Sequence, residues 1–285
     1  MSKPSYILVL ALLLVSAALP SPAQSFVAAD LGSDVPDFLV SDSTLPVTSA
    51  REIPAPRPLI APDLALHTYL ERAQRQLSEL GSTSDLMIVN AVLPESSQQA
   101  RSEVRRKFSA PRSLVFTSVA FVGDTFVKTN IINRLLQSEV EHVEKGSGPQ
   151  SAITAENYRF SYKGTDTLEG QPVHVFQVKP RQKRVGLFKG RIYLDAYNGS
   201  LRRTEGVISK SPSFFVKRIS FTQDYADISG FSLPVHMHSE AQTRLVGKAI
   251  VDVQHQDYQA SAVPQERLST GAQSALVGDG ARGTH

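Results

Sequence analysis

From about residue 86 to residue 258 the chain alternates apolar and polar residues with a period of two, and turn-forming residues break the pattern at short intervals. Successive side chains on a strand point to opposite faces, so this rhythm commits each segment to a half-buried β-strand. Tyr158, Phe160 and Tyr162 fall on one face, with Arg159, Ser161 and Lys163 on the other, while Phe215, Ile219, Phe221 and Tyr225 form a second stripe. The Asn198-Gly199 step suits a hairpin turn. Further strands are expected near residues 86–93, 113–122, 173–179, 191–195, 201–209, 232–240 and 248–258. Connections this short join antiparallel neighbours, because a parallel pair needs a long crossover.

Two segments follow a helical period instead. After Pro62, the residues Leu66, Tyr69, Leu70, Ala73, Leu77 and Leu80 recur at helical spacing, with Asp63 as the expected cap and Gly81 as the stop. A second helix is expected over residues 130–145, with Ile132, Leu135, Leu136, Val140 and Val143 on one stripe. The expected fold class is therefore α+β, with a large curved antiparallel sheet wrapping one or two helices. Such a sheet either closes on its helices or leaves an apolar hollow.

The ends differ in character. Residues 1–23 have the three parts of a secretory signal peptide: Lys3, an apolar run of 14 residues from 6 to 19, and the small-residue site Ser21-Pro22-Ala23. A membrane span needs ~20 residues, so cleavage near Gln24 is expected, with retention as an anchor left open. Residues 24–62 are rich in Pro, Ser, Ala and Asp without periodicity and read as a disordered leader. Residues 259–285 read as a disordered tail, which leaves 63–258 as the folded domain. The 285 residues contain no cysteine, which excludes disulfides, thiol catalysis, cysteine metal sites and the acylated cysteine of bacterial lipoproteins. An exported chain of this kind points to the periplasm.

Candidate chemistry is sparse. His236 and His238 share a strand face, with His255 and Asp257 on the next strand, but a hairpin centred near Arg244 sets His236 opposite Asp252 and leaves His255 roughly 10 Å along the strand. Metal ligands converge to ~2 Å from one ion, so no metal site and no cofactor is expected. No Gly-x-Ser-x-Gly, His-Glu-x-x-His or phosphate-loop pattern occurs, so no catalytic residue is assigned. Asp195 and Glu205 would approach across the Asn198-Gly199 hairpin, where solvated or Arg-paired carboxylates are the ordinary outcome.

Six cations, Lys179, Arg181, Lys183, Arg184, Lys189 and Arg191, lie between two β-like segments, and Arg101, Arg105, Arg106 and Lys107 form a second group. The net charge is only +3 and the export signal argues against a nucleic-acid partner. Solvated turn charges account for the clusters, except that Val185, Gly186, Leu187 and Phe188 place an apolar tip among the first. Arg181, Lys183, Arg184, Leu187, Phe188 and Lys189 are accordingly expected to dock at a membrane or protein surface.

The stretch 157–160 (NYRF), then 170–180 (GQPVHVFQVKP), 188–195 (FKGRIYLD), Gly199 and 203–206 (RTEG) resembles bacterial outer-membrane lipoprotein-sorting proteins of the periplasmic lipoprotein carrier-like family. The likeness spans residues 158–258 as strand rhythm plus these phrases. It implies a half-open antiparallel barrel with helices inside, holding acyl chains in an apolar cavity, and it transfers no functional side chain to this sequence. On that basis the expected function is non-enzymatic, with an acyl chain or lipidated protein held in the hollow for lipoprotein sorting or envelope maintenance. Phe160, Tyr162, Phe176, Ile192, Leu194, Phe215, Ile219 and Phe221 are the expected lining, although ordinary core packing would bury the same residues. The rival reading is an envelope interaction or regulatory module with a filled core, docking through the basic hairpin. A third is a hydrolase using His and carboxylates.

Overall fold

The computed structural model describes residues 57–211, 216–244 and 246–263. The expected signal segment, residues 24–56 of the leader, residues 264–285 of the tail and Phe215 lie outside the described residues.

Helix α1 (Pro62–Glu79) runs directly into strand β1 (Leu80–Leu93), and β2 (Gln98–Ser109) and β3 (Ser113–Gly123) follow as hairpins. A helical layer comes next: α2 (Thr125–Val127), a π turn (Lys128–Ile132), α3 (Asn133–Glu144) and α4 (Gly148–Ser151). The chain then makes a seven-strand meander: β4 (Tyr158–Leu168), β5 (Gln171–Pro180), β6 (Phe188–Asp195), β7 (Leu201–Ile208), β8 (Val216–Ile228), β9 (Phe231–Thr243) and β10 (Lys248–Ala262). All ten strands form one antiparallel sheet in the order β3-β2-β1-β10-β9-β8-β7-β6-β5-β4. The order ends in two separate edges, so the barrel is half open. Register shifts in β1, β3, β4 and β8 mark bulges that bend the strands, which is how so long a sheet curves around its helices.

The concave side holds two apolar clusters. Under α2 and α3, Val127, Ile131, Ile132 and Leu135 pack on Met87, Val89, Val104, Met237, Val251 and Val253. Under α1, Tyr69 packs on Tyr158, Phe176, Phe188, Ile192, Leu201 and Phe221. No helix among the described residues is long and apolar enough to cross a membrane.

Three local expectations need correction. Ala61, not Asp63, is the N-cap of α1, because Pro62 occupies the first helical position where a missing N–H costs nothing. Strand β2 was invisible to the alternation rule because its inward set includes Ser102 and Arg106, polar residues that the pattern counts as outward. In α3 the buried positions are Leu135 and Glu139 rather than Val140 and Val143. Glu139 follows Leu135 by four residues and so shares its inward face, where Arg106 receives it.

Candidate functional site

Helix α1 occupies the hollow of the sheet between β4 and β9, but it is seated there lightly. Only Ala65, Tyr69 and Gln76 of its 18 residues are buried. Its leading end is fixed: the Ile60 N–H donates to the Ala196 carbonyl at 2.9 Å, and His174 Nε2 lies 2.9 Å from the Ile60 carbonyl oxygen. Gly199, at φ +70°, comes so close that a Cβ there would stand 2.7 Å from the Ala65 carbonyl oxygen, so the β6–β7 turn can meet α1 only as glycine. Further along, Tyr69 Oη donates to the Ile153 carbonyl at 3.2 Å and Arg72 pairs with Asp227 at 3.0 Å.

Between α1 and β6–β9 lies an apolar cleft of about 60 Å³, walled by Tyr69, Ala73, Phe188, Leu201, Phe221 and Tyr225 with Gln76 and Gln223 at its polar margin. Gln76 also borders a larger hollow of about 390 Å³, where Leu77, Phe108, Pro111, Val143, Pro149 and Val263 surround His142. Burial pushes the Tyr69 and Tyr158 hydroxyls up and carries Tyr225 to about 12, so all three stay neutral donors. Desolvation lowers His142, leaving a neutral imidazole 3.2 Å from Ser151 Oγ. The cleft thus presents rings and aliphatic carbon with no fixed charge except Arg72 at its edge.

The expected lining residues separate in the structure. Phe221 reaches the cleft. Phe176, Ile192 and Leu194 are fully packed in the core beneath α1, and Phe160 is half-buried against them. Ile219 belongs to the other cluster, under α3. Tyr162 is 42% exposed, because the bulge after it turns β4 outward at Gly164, and its hydroxyl lies 3.4 Å from His174 Nδ1. Tyr69, Ala73 and Ile153 escaped the sequence reading because a helix and a loop supply them, and strand stripes do not show that.

The expected docking tip is corrected. Leu187 and Phe188 are 0% and 3% exposed, with the Phe188 ring edge-on to Phe221 and its N–H donating to Tyr158 Oη at 3.2 Å. The loop folds inward because Arg184 donates to Asn157 Oδ1 at 2.8 Å and Arg181 Nε to the Ala155 carbonyl at 2.8 Å. Lys183, Lys189 and Val185 stay exposed. The cations therefore include two that staple a loop, not one ring around a greasy tip.

The histidines also fall differently. Gln254 stands opposite His236 and Asp252 opposite His238, a two-residue change from the expected register, since the turn centres one residue later. His236 and His238 both approach Asp252, at 3.4 and 3.2 Å, on the half-exposed outer face. Among the described residues no group of three or more His, Asp and Glu is arranged to hold a metal ion. Asp195 and Glu205 do not meet: Glu205 faces Arg191 and accepts from Tyr193 Oη, while Asp195 accepts from the Tyr197 and Asn198 N–H groups.

His255 turns inward into a buried ionic group that sequence reading missed. Its Nδ1 is 2.8 Å from Asp85 Oδ2, Arg106 reaches Asp85 at 3.2 Å, and Glu139 of α3 stands 3.6 Å from Arg106 Nε, too far for a hydrogen bond. Burial raises Glu139 to about 7, with Asp85 adding and Arg106 opposing. One buried cation is already balanced by Asp85, so a second anion finds no counter-charge. Desolvation lowers His255, so its imidazole is neutral beside the Arg106–Asp85 pair.

A family model described as "Family of unknown function (DUF5686)" matches residues 124–258, just under half of the 285. No curated protein matches the chain. Solved structures similar to it include one described as an outer membrane lipoprotein-sorting protein domain from Vibrio parahaemolyticus, at 14% identity over 73% of this chain and 98% of that one, TM-score 0.39. The LolA superfamily protein NE2245 from Nitrosomonas europaea matches at 9% identity over 70% and 96%, TM-score 0.37. The MucA/MucB complex of Pseudomonas aeruginosa matches at 10% identity over 70% and 99%, TM-score 0.24.

Proposed function

We propose that the chain is a non-enzymatic periplasmic binding protein that takes up an acyl chain, free or on a lipidated protein, between α1 and the concave face of the sheet. The observation that carries this reading is the apolar cleft left beneath α1, a helix with three of its 18 residues fully buried and Leu66, Leu70 and Ala73 partly so. At about 60 Å³ the cleft has room for about two waters, whereas ligand sites run to ~300 Å³ or more, so this is the closed form. The hollow of about 390 Å³ that shares Gln76 supports entry from the C-terminal end of α1, the helix tilting about its fixed leading end. Each methylene taken from water contributes ~0.8 kcal/mol, enough for a long chain to displace a lightly packed helix. The signal-like leader and the absence of cysteine support the periplasm and a role in lipoprotein sorting or envelope maintenance.

The test is native mass spectrometry of the purified protein together with displacement of a fluorescent fatty acid. Co-purifying lipid, or saturable probe binding that long-chain fatty acids compete away, is the expected result. Neither being present would overturn the reading.

A further inference from the structure

The open sheet has two edges, and they are not alike. Strand β4 is guarded: Arg159, Lys163 and Asp166 are exposed along it, and the bulge at Gly164, φ +121°, breaks its run. Strand β3, 11 residues long with a bulge at Val119, contains no charge and no proline, so the two edges differ in charge rather than in regularity. Val115, Val119 and Val122 on it are 54%, 57% and 70% exposed. Among the described residues, its outer backbone groups face no other strand. An edge of this kind is a template for another strand.

The neighbouring strand supplies a charge preference. Arg101, Arg105 and Lys107 project from the outer face of β2, opposite Val122, Thr117 and Val115. Arg101 reaches Glu103 at 2.8 Å, while Arg105 and Lys107 make no ion pair among the described residues. A groove of about 240 Å³ beside this edge is lined by Asn90, Val92, Gln99, Arg101 and Val122. A strand added to β3 would lie two spacings, ~10 Å, from β2, within reach of Lys and Arg side chains meeting Glu.

We infer that the β3 edge binds an extended, acidic segment of a partner polypeptide as an eleventh strand, with Arg105 and Lys107 reaching over the valines to its carboxylates. A lipid surface offers no partners for the unpaired backbone groups. A second copy of this chain would bring more cations to the same face. An acidic peptide satisfies both.

The test uses the full chain and a fluorescein-labelled peptide of alternating Val and Glu as long as β3, followed by anisotropy and by hydrogen exchange over residues 113–123. Binding with added protection of those amides is expected, with no binding of the Val-Lys counterpart. Reversing Arg105 and Lys107 to Glu should weaken it about tenfold. Val119→Pro should abolish it at an unchanged melting temperature, since Val119 has no partner on β2. If that variant misfolds, Val115→Lys with Val122→Lys gives the same answer through charge at the edge. Equal affinity for the Val-Lys peptide, binding that survives the charge reversal or leaves residues 113–123 unprotected, or a concentration-dependent dimer that protects β3 without peptide would each overturn the proposal.

Discussion

The two helices of the concave face meet the same sheet in opposite ways. Helix α3 and the turns before it are locked by Val127, Ile131, Ile132 and Leu135, all at most 3% exposed, and by Glu139 set into the buried ionic group. Helix α1 lies over aromatic residues, holds through buried Tyr69, half-buried Leu66, Leu70 and Ala73 and the half-exposed Arg72–Asp227 pair, and leaves space beneath it. Packing density decides which element opens at low free energy, and under the proposed function α1 is the element that opens while α3 stays fixed. The ionic group serves the fixed half: removing Arg106 or Asp85 leaves a buried charge without its partner.

The sharpest way to break this contrast is Arg106→Ala. It strands Asp85 and should cost about 3–5 kcal/mol in urea unfolding. A small effect would mean that the group is hydrated and that α3 is no anchor. Tyr69→Ala should cost less, about 2 kcal/mol, because α1 can open locally. Hydrogen exchange should quicken across α1 while α3 stays protected, and fatty-acid probe uptake should rise.

A smaller effect comes from pH. Folded Glu139 binds its proton up to about 7, whereas an unfolded glutamate releases it near ~4.3, so stability falls as pH rises through that interval and stays at the lower level above it. His255, held below its ordinary value, acts oppositely, contributing stability that is present above ~6.5 and lost as pH falls below it. Between pH 6 and 8 the Glu139 contribution alone is a loss of about 1 kcal/mol, read by denaturant titration as the difference from Glu139→Gln, because His255 and His142, both held below the ordinary value, act oppositely. Glu139→Gln should flatten that fall. Smallest of all, Arg72→Ala should change stability by about 0.5 kcal/mol, yet accelerate probe entry if the Asp227 pair helps to hold α1 down.

Much of this was legible in the sequence for a physical reason. Strand rhythm is local, so the meander from β4 to β10 and the α+β class follow from alternation and turns. What escaped depends on long-range pairing. Arg106 looked like one of four surface cations because nothing near it in sequence shows Asp85 or Glu139. Leu187 and Phe188 looked exposed because the carbonyl and amide that capture Arg181 and Arg184 lie 26 and 27 residues away. The site itself was half legible: the curved sheet was expected, but among the described residues of the expected lining Phe221 alone reaches the cleft, since the helix that fills the hollow decides which strand residues face open space.

The position of β1 between β2 and β10 has a consequence for how the molecule assembles. Asp85 and His255, joined in the finished sheet, are 170 residues apart in the chain. The β1–β3 hairpins and the β4–β9 meander can form from neighbours alone, but only β10 staples them together, so closure is the step with the largest loop entropy. A chain emerging N-terminus first therefore carries two incomplete half-sheets until its last strand arrives. During that interval β1 offers a second open edge, and the polar residues that later form the buried ionic group remain in water.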